Sequence, residues 1–126
     1  NRLAEEGFIG RVNHRHFSVM GSILAPICFI KYTIPKIVQH MKEDRVDVVL
    51  LIPFWPVCPQ TVGLVQKACE KVGMSCSTIS IIDEITKKLK IHRYFSVPYE
   101  LGYPLGAPDD FENQMDTCKK ALSLIQ

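Results

Sequence analysis

Cys58 stands between two prolines in the run Trp55-Pro56-Val57-Cys58-Pro59-Gln60-Thr61, directly after the short β-branched and leucine stretch Val46–Pro53. That stretch predicts a strand buried on both faces of a parallel sheet. Beyond the cysteine, Val62, Val65, Cys69 and Val72 recur at spacings of three and four, with Gln66, Lys67, Glu70 and Lys71 opposite. The pattern predicts a helix with one buried face, and Gly73 stands where a C-cap belongs. A cysteine at or just before the first turn of a helix meets free N–H groups and the positive end of the helix dipole, which favours the thiolate. Pro59 fits the first helical position, where its missing N–H costs nothing. Such a thiol suits nucleophilic or redox work, and ligands in open α/β sheets collect just past the carboxyl ends of strands. The competing reading is a small residue packed at a turn.

The other four cysteines carry less chemistry. Cys69 and Cys118 fall on apolar helix faces, Cys76 opens a strand, and Cys28 lies in a segment without clear period. His14, Arg15 and His16 form the one dense polar cluster, able to grip a carboxylate or stabilise a thiolate, or simply to face solvent as a loop. His40 and His92 flank secondary elements without further signal. No phosphate-binding glycine loop and no Ser-His-Asp spacing is present.

These residues must be positioned by alternating elements. Leu3–Phe8 is expected to form a short helix, Arg11–His16 a loop, and Phe17–Ile30 a mostly irregular stretch. Thr33 with Ile34 and Pro35 predicts an N-cap followed by proline in the first turn. Ile34, Ile37, Val38 and Met41 then supply the buried face of a helix ending near Asp44. Ser75–Ile81 predicts a second strand of alternating character, and Ser80 or Asp83 can cap a short helix through Ile85 and Leu89. Arg93–Val97 predicts a third strand. A Gly/Pro-rich loop runs from Pro98 to Pro108, and Asp109 or Asp110 caps a last helix whose expected face is Phe111, Met115, Cys118, Leu122 and Ile125.

Strands alternating with helices predict an α/β fold, a three-layer open parallel sheet flanked by helices, in one domain spanning residues 1–126. An open sheet usually has about four to six strands, so a further strand is expected before Gly7 or within Phe17–Ile30. A short sheet leaves an edge or face to cover, and self-association covers it, which predicts a homodimer or homo-oligomer.

The chain has 126 residues, a formal net charge of +2 and 47% hydrophobic content, an ordinary balance that argues for neither nucleic acid nor an anionic membrane. Gly21–Ile30, the most apolar stretch near the start, contains Pro26 and is about half the ~20 residues of a membrane span. Five cysteines at irregular spacing match neither a disulfide framework nor a zinc site. Reduced thiols in a cytoplasmic protein are the simpler reading, with no metal and no cofactor.

Several segments, in order and with compatible spacing, resemble one family. They are Arg15-His16-Phe17-Ser18 with Met20-Gly21, then Pro35 to Asp47, Pro56-Val57-Cys58, Thr61-Val62-Gly63-Leu64-Val65, and Pro98-Tyr99-Glu100-Leu101-Gly102-Tyr103-Pro104-Leu105-Gly106. The set is similar to the selenoprotein subunit of the glycine, sarcosine and betaine reductases, and closer to its D-proline reductase relatives. The resemblance covers the later part of such subunits, which begin earlier with an additional strand region. It implies a reactive selenium or sulfur in the turn after the central strand and reductive C–N cleavage of amino acids or related amines. Where the family carries selenocysteine, or the cysteine that replaces it, this chain has Trp55, while Cys58 matches the neighbouring cysteine. Tryptophan cannot serve as nucleophile or thiol. Its codon UGG differs by one base from the selenocysteine codon UGA.

The resemblance therefore implies a reductase-family subunit with lost or altered redox activity and a small-molecule pocket for an amino acid or amine at the 53–61 turn. Cys58 would be the residual thiol, Trp55 an aromatic wall, Arg15 an anion clamp, and His16, Thr61, Tyr99 and Gly102 further pocket residues. Two alternatives stand beside it. One is a thiol reductase or transfer component working through Cys58 alone, and the other a non-catalytic assembly module completed by a partner subunit.

Overall fold

The computed structural model describes residues 2–125. In chain order it contains α1 (Arg2–Glu5), a π-helical stretch (Phe29–Thr33) running into α2 (Ile34–Glu43), β1 (Val48–Leu51) and α3 (Cys58–Lys71). β2 (Ser75–Ser80), α4 (Asp83–Lys88), β3 (Tyr94–Ser96) and α5 (Phe111–Ser123) follow. The strands form one parallel sheet in the order β1-β2-β3, with Val48 opposite Ser75 and Thr78 opposite Tyr94.

Successive residues of a strand point to opposite faces, and the partners of β2 show which helix covers which. Thr78 donates its hydroxyl to Gln66 Oε1 on α3, whereas Ser77 donates to the carbonyl of Ala121 on α5 at 2.7 Å. Val49, Leu51, Cys69 and Cys76 share one core with Ile37, Val38 and Met41 of α2. Ile79, Val97 and Ala121 form the other, with Leu50, Ile52 and Phe95 packed against them. The layers are therefore α2 and α3, then the sheet, then α5, which is the expected α/β arrangement.

Three expectations change. The Val46–Pro53 stretch makes the edge strand rather than the middle one, and Val48 is 43% exposed. The centre is β2, where Cys76, Ser77, Thr78, Ile79 and Ser80 are all fully buried, so its alternation does not divide core from solvent. Its small hydroxyls can be buried because each finds a partner; Ser80 Oγ lies 2.8 Å from Asp83 Oδ1 and 2.8 Å from Thr86 Oγ1. Among the described residues no strand forms before Gly7 or within 17–30.

Helix termini differ in similar ways. The chain is already helical from Ile27, so Thr33 is no N-cap and makes no capping bond. Pro35 lies inside a continuous helix, where its ring opposes the ordinary i→i−4 ladder. The backbone widens one turn earlier, Ile34 N–H donating to the carbonyl of Phe29 five residues back, as in a π-bulge. Ile82 occupies the cap position of α4 without a capping bond. Asp110 caps α5 as expected, accepting from Asn113 N–H at 3.3 Å. The buried residues of α5 are Thr117 and Ala121, while Phe111 is 46% exposed. Small side chains let α5 approach the sheet, and the larger apolar ones fall to the flank. Gln66, expected on the outer face of α3, is buried at 2% exposure, and Val72 is exposed.

Three helices end alike. Met74 N–H returns to Cys69 and Gly73 N–H to Glu70, each at 3.1 Å, which is a Schellman closure with Gly73 at φ +91°. The same bonds close α2 around Arg45 (φ +57°) and α4 around Lys90 (φ +55°). Among the described residues, no helix is long and apolar enough to cross a membrane.

Candidate functional site

In a parallel sheet, the segments that follow the strands emerge at the same end. The turn after β1 and the Pro98–Pro108 loop after β3 are therefore neighbours. The first is closed by Cys58 N–H donating to the Trp55 carbonyl at 3.0 Å, with Cys58 as the first residue of α3. Gly102 N–H donates to the Phe54 carbonyl at 2.9 Å, tying loop to turn. A methyl group added at Gly102 would lie 3.3 Å from Trp55 Cη2, so the indole rests on bare backbone. Gly102 also has φ +87°, a conformation that glycine adopts without strain. Trp55 itself is 57% exposed.

A third segment closes over the thiol from the N-terminal side. Gly21 lies against Cys58 so tightly that a Cβ there would overlap the sulfur and lie 3.1 Å from Cys58 Cβ. Thr61, 1% exposed, donates its hydroxyl to the Gly21 carbonyl at 2.7 Å. Cys58 is thus half-buried beneath the Met20–Gly21 backbone and flanked by Trp55, which is in turn seated on Gly102. Cys58, Trp55, Thr61 and Gly102 are brought together.

Arg15, His16 and Tyr99 are not. Arg15 sits at the C-terminal end of α2, the opposite end of the sheet from Cys58, because α2 runs back to the start of β1. There its Nε–H donates to Asp44 Oδ2 at 2.6 Å, Nη2 reaches Asp44 Oδ1, and a further Nη2–H bonds the His40 carbonyl at 3.2 Å. The expected anion clamp is occupied by the chain's own carboxylate. Asn13 adds a donor to Asp44 Oδ2 at 2.9 Å, and Arg11 donates to the Asp44 carbonyl at 3.0 Å. Hydrogen bonds from Arg15, then from Asn13, hold the Asp44 carboxyl well below the usual carboxylate range. Arg15 Nη1 approaches His40 Nδ1 at 2.8 Å. The same ring nitrogen lies 3.2 Å from Glu43 Oε2. His16 is exposed. Tyr99 turns toward α5, its hydroxyl 2.9 Å from Asn113 Oδ1 and 3.3 Å from Thr117 Oγ1. Its ring packs beneath Gly106.

Composition and spacing gave no sign that Asp44 and Gly21 hold this arrangement together. Asp44 reads as a helix end, and Gly21 as one small residue in an irregular run. The other thiols lie elsewhere. Cys69 and Cys76 are fully buried, and the Cys69 thiol and burial together push Cys76 far up. Burial likewise raises Cys118. Among the described residues, no group of three or more His, Cys, Asp or Glu is placed to hold a metal ion. Two open concavities lie away from the turn. One, of about 370 Å³, is lined by Glu70, Gly73, Met74, Ser75, His92 and Arg93. The other lies between Arg2, Glu6 and the flank of α5.

Three segments singled out by their resemblance thus meet at one turn, in the fold that the resemblance implies. The sequence as a whole carries the same likeness. This chain is similar to D-proline reductase subunit gamma. Against that protein from Acetoanaerobium sticklandii it is 28% identical over 123 residues, 98% of this chain and 51% of the relative. The likeness bears out the family resemblance read from the residues, and the chain spans about half the length of the curated relative it matches. No family model matches the chain, and no solved structure does. D-proline reductase subunit gamma is by its name one subunit of a larger reductase.

Proposed function

We propose that this chain is a subunit of a reductase-type assembly acting on amino acids or related amines, with its redox chemistry lost or altered at Trp55. The observation that carries the reading is the Trp55–Cys58 turn, a thiol at a helix start and an indole seated on Gly102. Reductive cleavage of a C–N bond consumes two electrons and two protons. Two thiols closing to a disulfide release two of each, so one cysteine needs a partner. Cys69, eleven residues on along α3, is about 16 Å away, beyond disulfide reach. With tryptophan at position 55, Cys58 lacks the neighbouring redox residue of the family pattern, and turnover needs a second thiol other than Cys69. Trp55 and Cys58 then serve as the wall and residual thiol of an amino-acid pocket.

Trp55 is the sole tryptophan, which makes the test direct. D-Proline, glycine and small amines are titrated against intrinsic fluorescence. A saturable change, weakened in Cys58→Ser, supports the pocket; no change with any of them overturns it. Turnover with an added dithiol that vanishes in Cys58→Ser supports the thiol-dependent enzyme instead. Reading codon 55 in the source DNA decides whether UGG or a reinterpreted UGA stands there.

A second reading has its own observation. Met20, Leu24 and Ile27 are 74%, 84% and 74% exposed, on the segment around and beyond Gly21, and Phe54, Trp55 and Tyr103 are exposed on the turn and its neighbouring loop. Exposed apolar side chains of this kind favour a partner subunit or a second copy of the chain. Sedimentation velocity tests self-association. The five free cysteines support a reducing, cytoplasmic setting.

A further inference from the structure

Residues 15–21 form a strap that runs from the end of α2 to the start of α3 and ends on the Cys58 sulfur. Among the described residues, the backbone of 15–20 makes no backbone hydrogen bond. Side chains hold the strap instead. At one end Arg15 grips Asp44, and Phe17 stacks on His40 with ring centroids 6.4 Å apart and planes 18° from parallel. Val19 packs against the α2–α3 core, while Met20 points outward. At the other end Thr61 Oγ1–H holds the Gly21 carbonyl, and Gly21 covers the thiol.

A segment without backbone pairing, pinned at two ends by side chains, can leave its seat without breaking the sheet or any helix. We propose that this strap is a gate over Cys58, latched by Thr61 at the thiol end and by the Arg15–Asp44 pair at the far end. In the latched state the Gly21 backbone occupies the space above the sulfur that an incoming reactant needs. Unlatching exposes the sulfur while the α3 N-terminus and the Trp55 turn stay in place. The proposal rests on Cys58 being the working thiol of the turn.

The test is the rate of iodoacetamide labelling at each cysteine of the intact chain, read by peptide mass spectrometry below the melting transition. Loss of one latching hydrogen bond in Thr61→Val is expected to raise Cys58 labelling roughly three- to tenfold. Buried Cys69 reports global opening and is expected to keep its rate. Asp44→Asn, far from the thiol, is expected to act in the same direction. Should Thr61→Val not fold, Asp44→Asn decides alone. An unchanged Cys58 rate in the folded variants overturns the gate, as does a rise of Cys58 and Cys69 in parallel. The working-thiol reading fails by a different result, an unaltered response of Cys58→Ser to amino acids, so the two are separable.

Discussion

The Gly21 backbone packs on Cys58 with no room for a side chain, a hypothetical Cβ falling 3.4 Å from Cys58 Cα and overlapping its sulfur. Gly21→Ala must displace the strap or twist the thiol off its rotamer. Overpacking of this kind costs about 1–3 kcal/mol. Urea denaturation is expected to show that loss, and Gly10→Ala, which meets nothing within 4 Å, serves as the neutral comparison.

The Arg15–Asp44 clasp makes stability depend on acid. The hydrogen bonds of Arg15 and Asn13 lower the folded Asp44 carboxyl from an ordinary value of 3.8. A group depressed on folding contributes fully above its unfolded value and loses that contribution as pH falls below it. Wild-type melting temperature is therefore expected to drop more steeply than that of Asp44→Asn as pH falls below about 4. The variant is less stable than wild type at neutral pH, and the two curves converge in acid. Parallel curves would remove Asp44 as the source.

Beneath the sheet, Gln66 and Thr78 form a buried polar pair, 2% and 0% exposed, and Gln66 Nε2 also donates to Glu70 Oε1 at 3.0 Å. Thr78→Val leaves Gln66 Oε1 without its donor and is expected to cost about 1–3 kcal/mol. The double variant Thr78→Val/Gln66→Leu removes both partners. It is expected to recover part of that loss in a thermal or denaturant melt, giving a non-additive cycle.

Two of the three Schellman closures place a side chain in the left-handed region, Arg45 at φ +57° and Lys90 at φ +55°. That conformation costs an L-residue about 1–2 kcal/mol, part of which glycine gives back as entropy in the unfolded chain. Arg45→Gly and Lys90→Gly are each expected to stabilise by about 0.5–1 kcal/mol. Gly73→Ala, at φ +91°, moves the other way. Differential scanning calorimetry of the three variants checks the signs.

Sequence alone determined the parts whose cause is local. The strand–turn–helix unit around Cys58, the cap by Asp110, the stop at Gly73 and the Pro98–Pro108 loop follow from periodicity, turn residues and capping chemistry, which act over a few positions. The ordered family segments were legible for the same reason, each being a short string. Tertiary structure decided what depends on partners distant in the chain. Strand order made β1 the edge and β2 the centre, because buried hydroxyls of β2 find Gln66, Thr86 and the Ala121 carbonyl, which no local pattern announces. The close seat of α5 on the sheet chose Thr117 and Ala121 over Phe111 for burial. Most of all, a carboxylate twenty-nine residues away took Arg15 from the thiol and made it an anchor. Pairing of charges at such a separation depends on where an irregular strap and the end of α2 come to rest, and only the folded chain sets that.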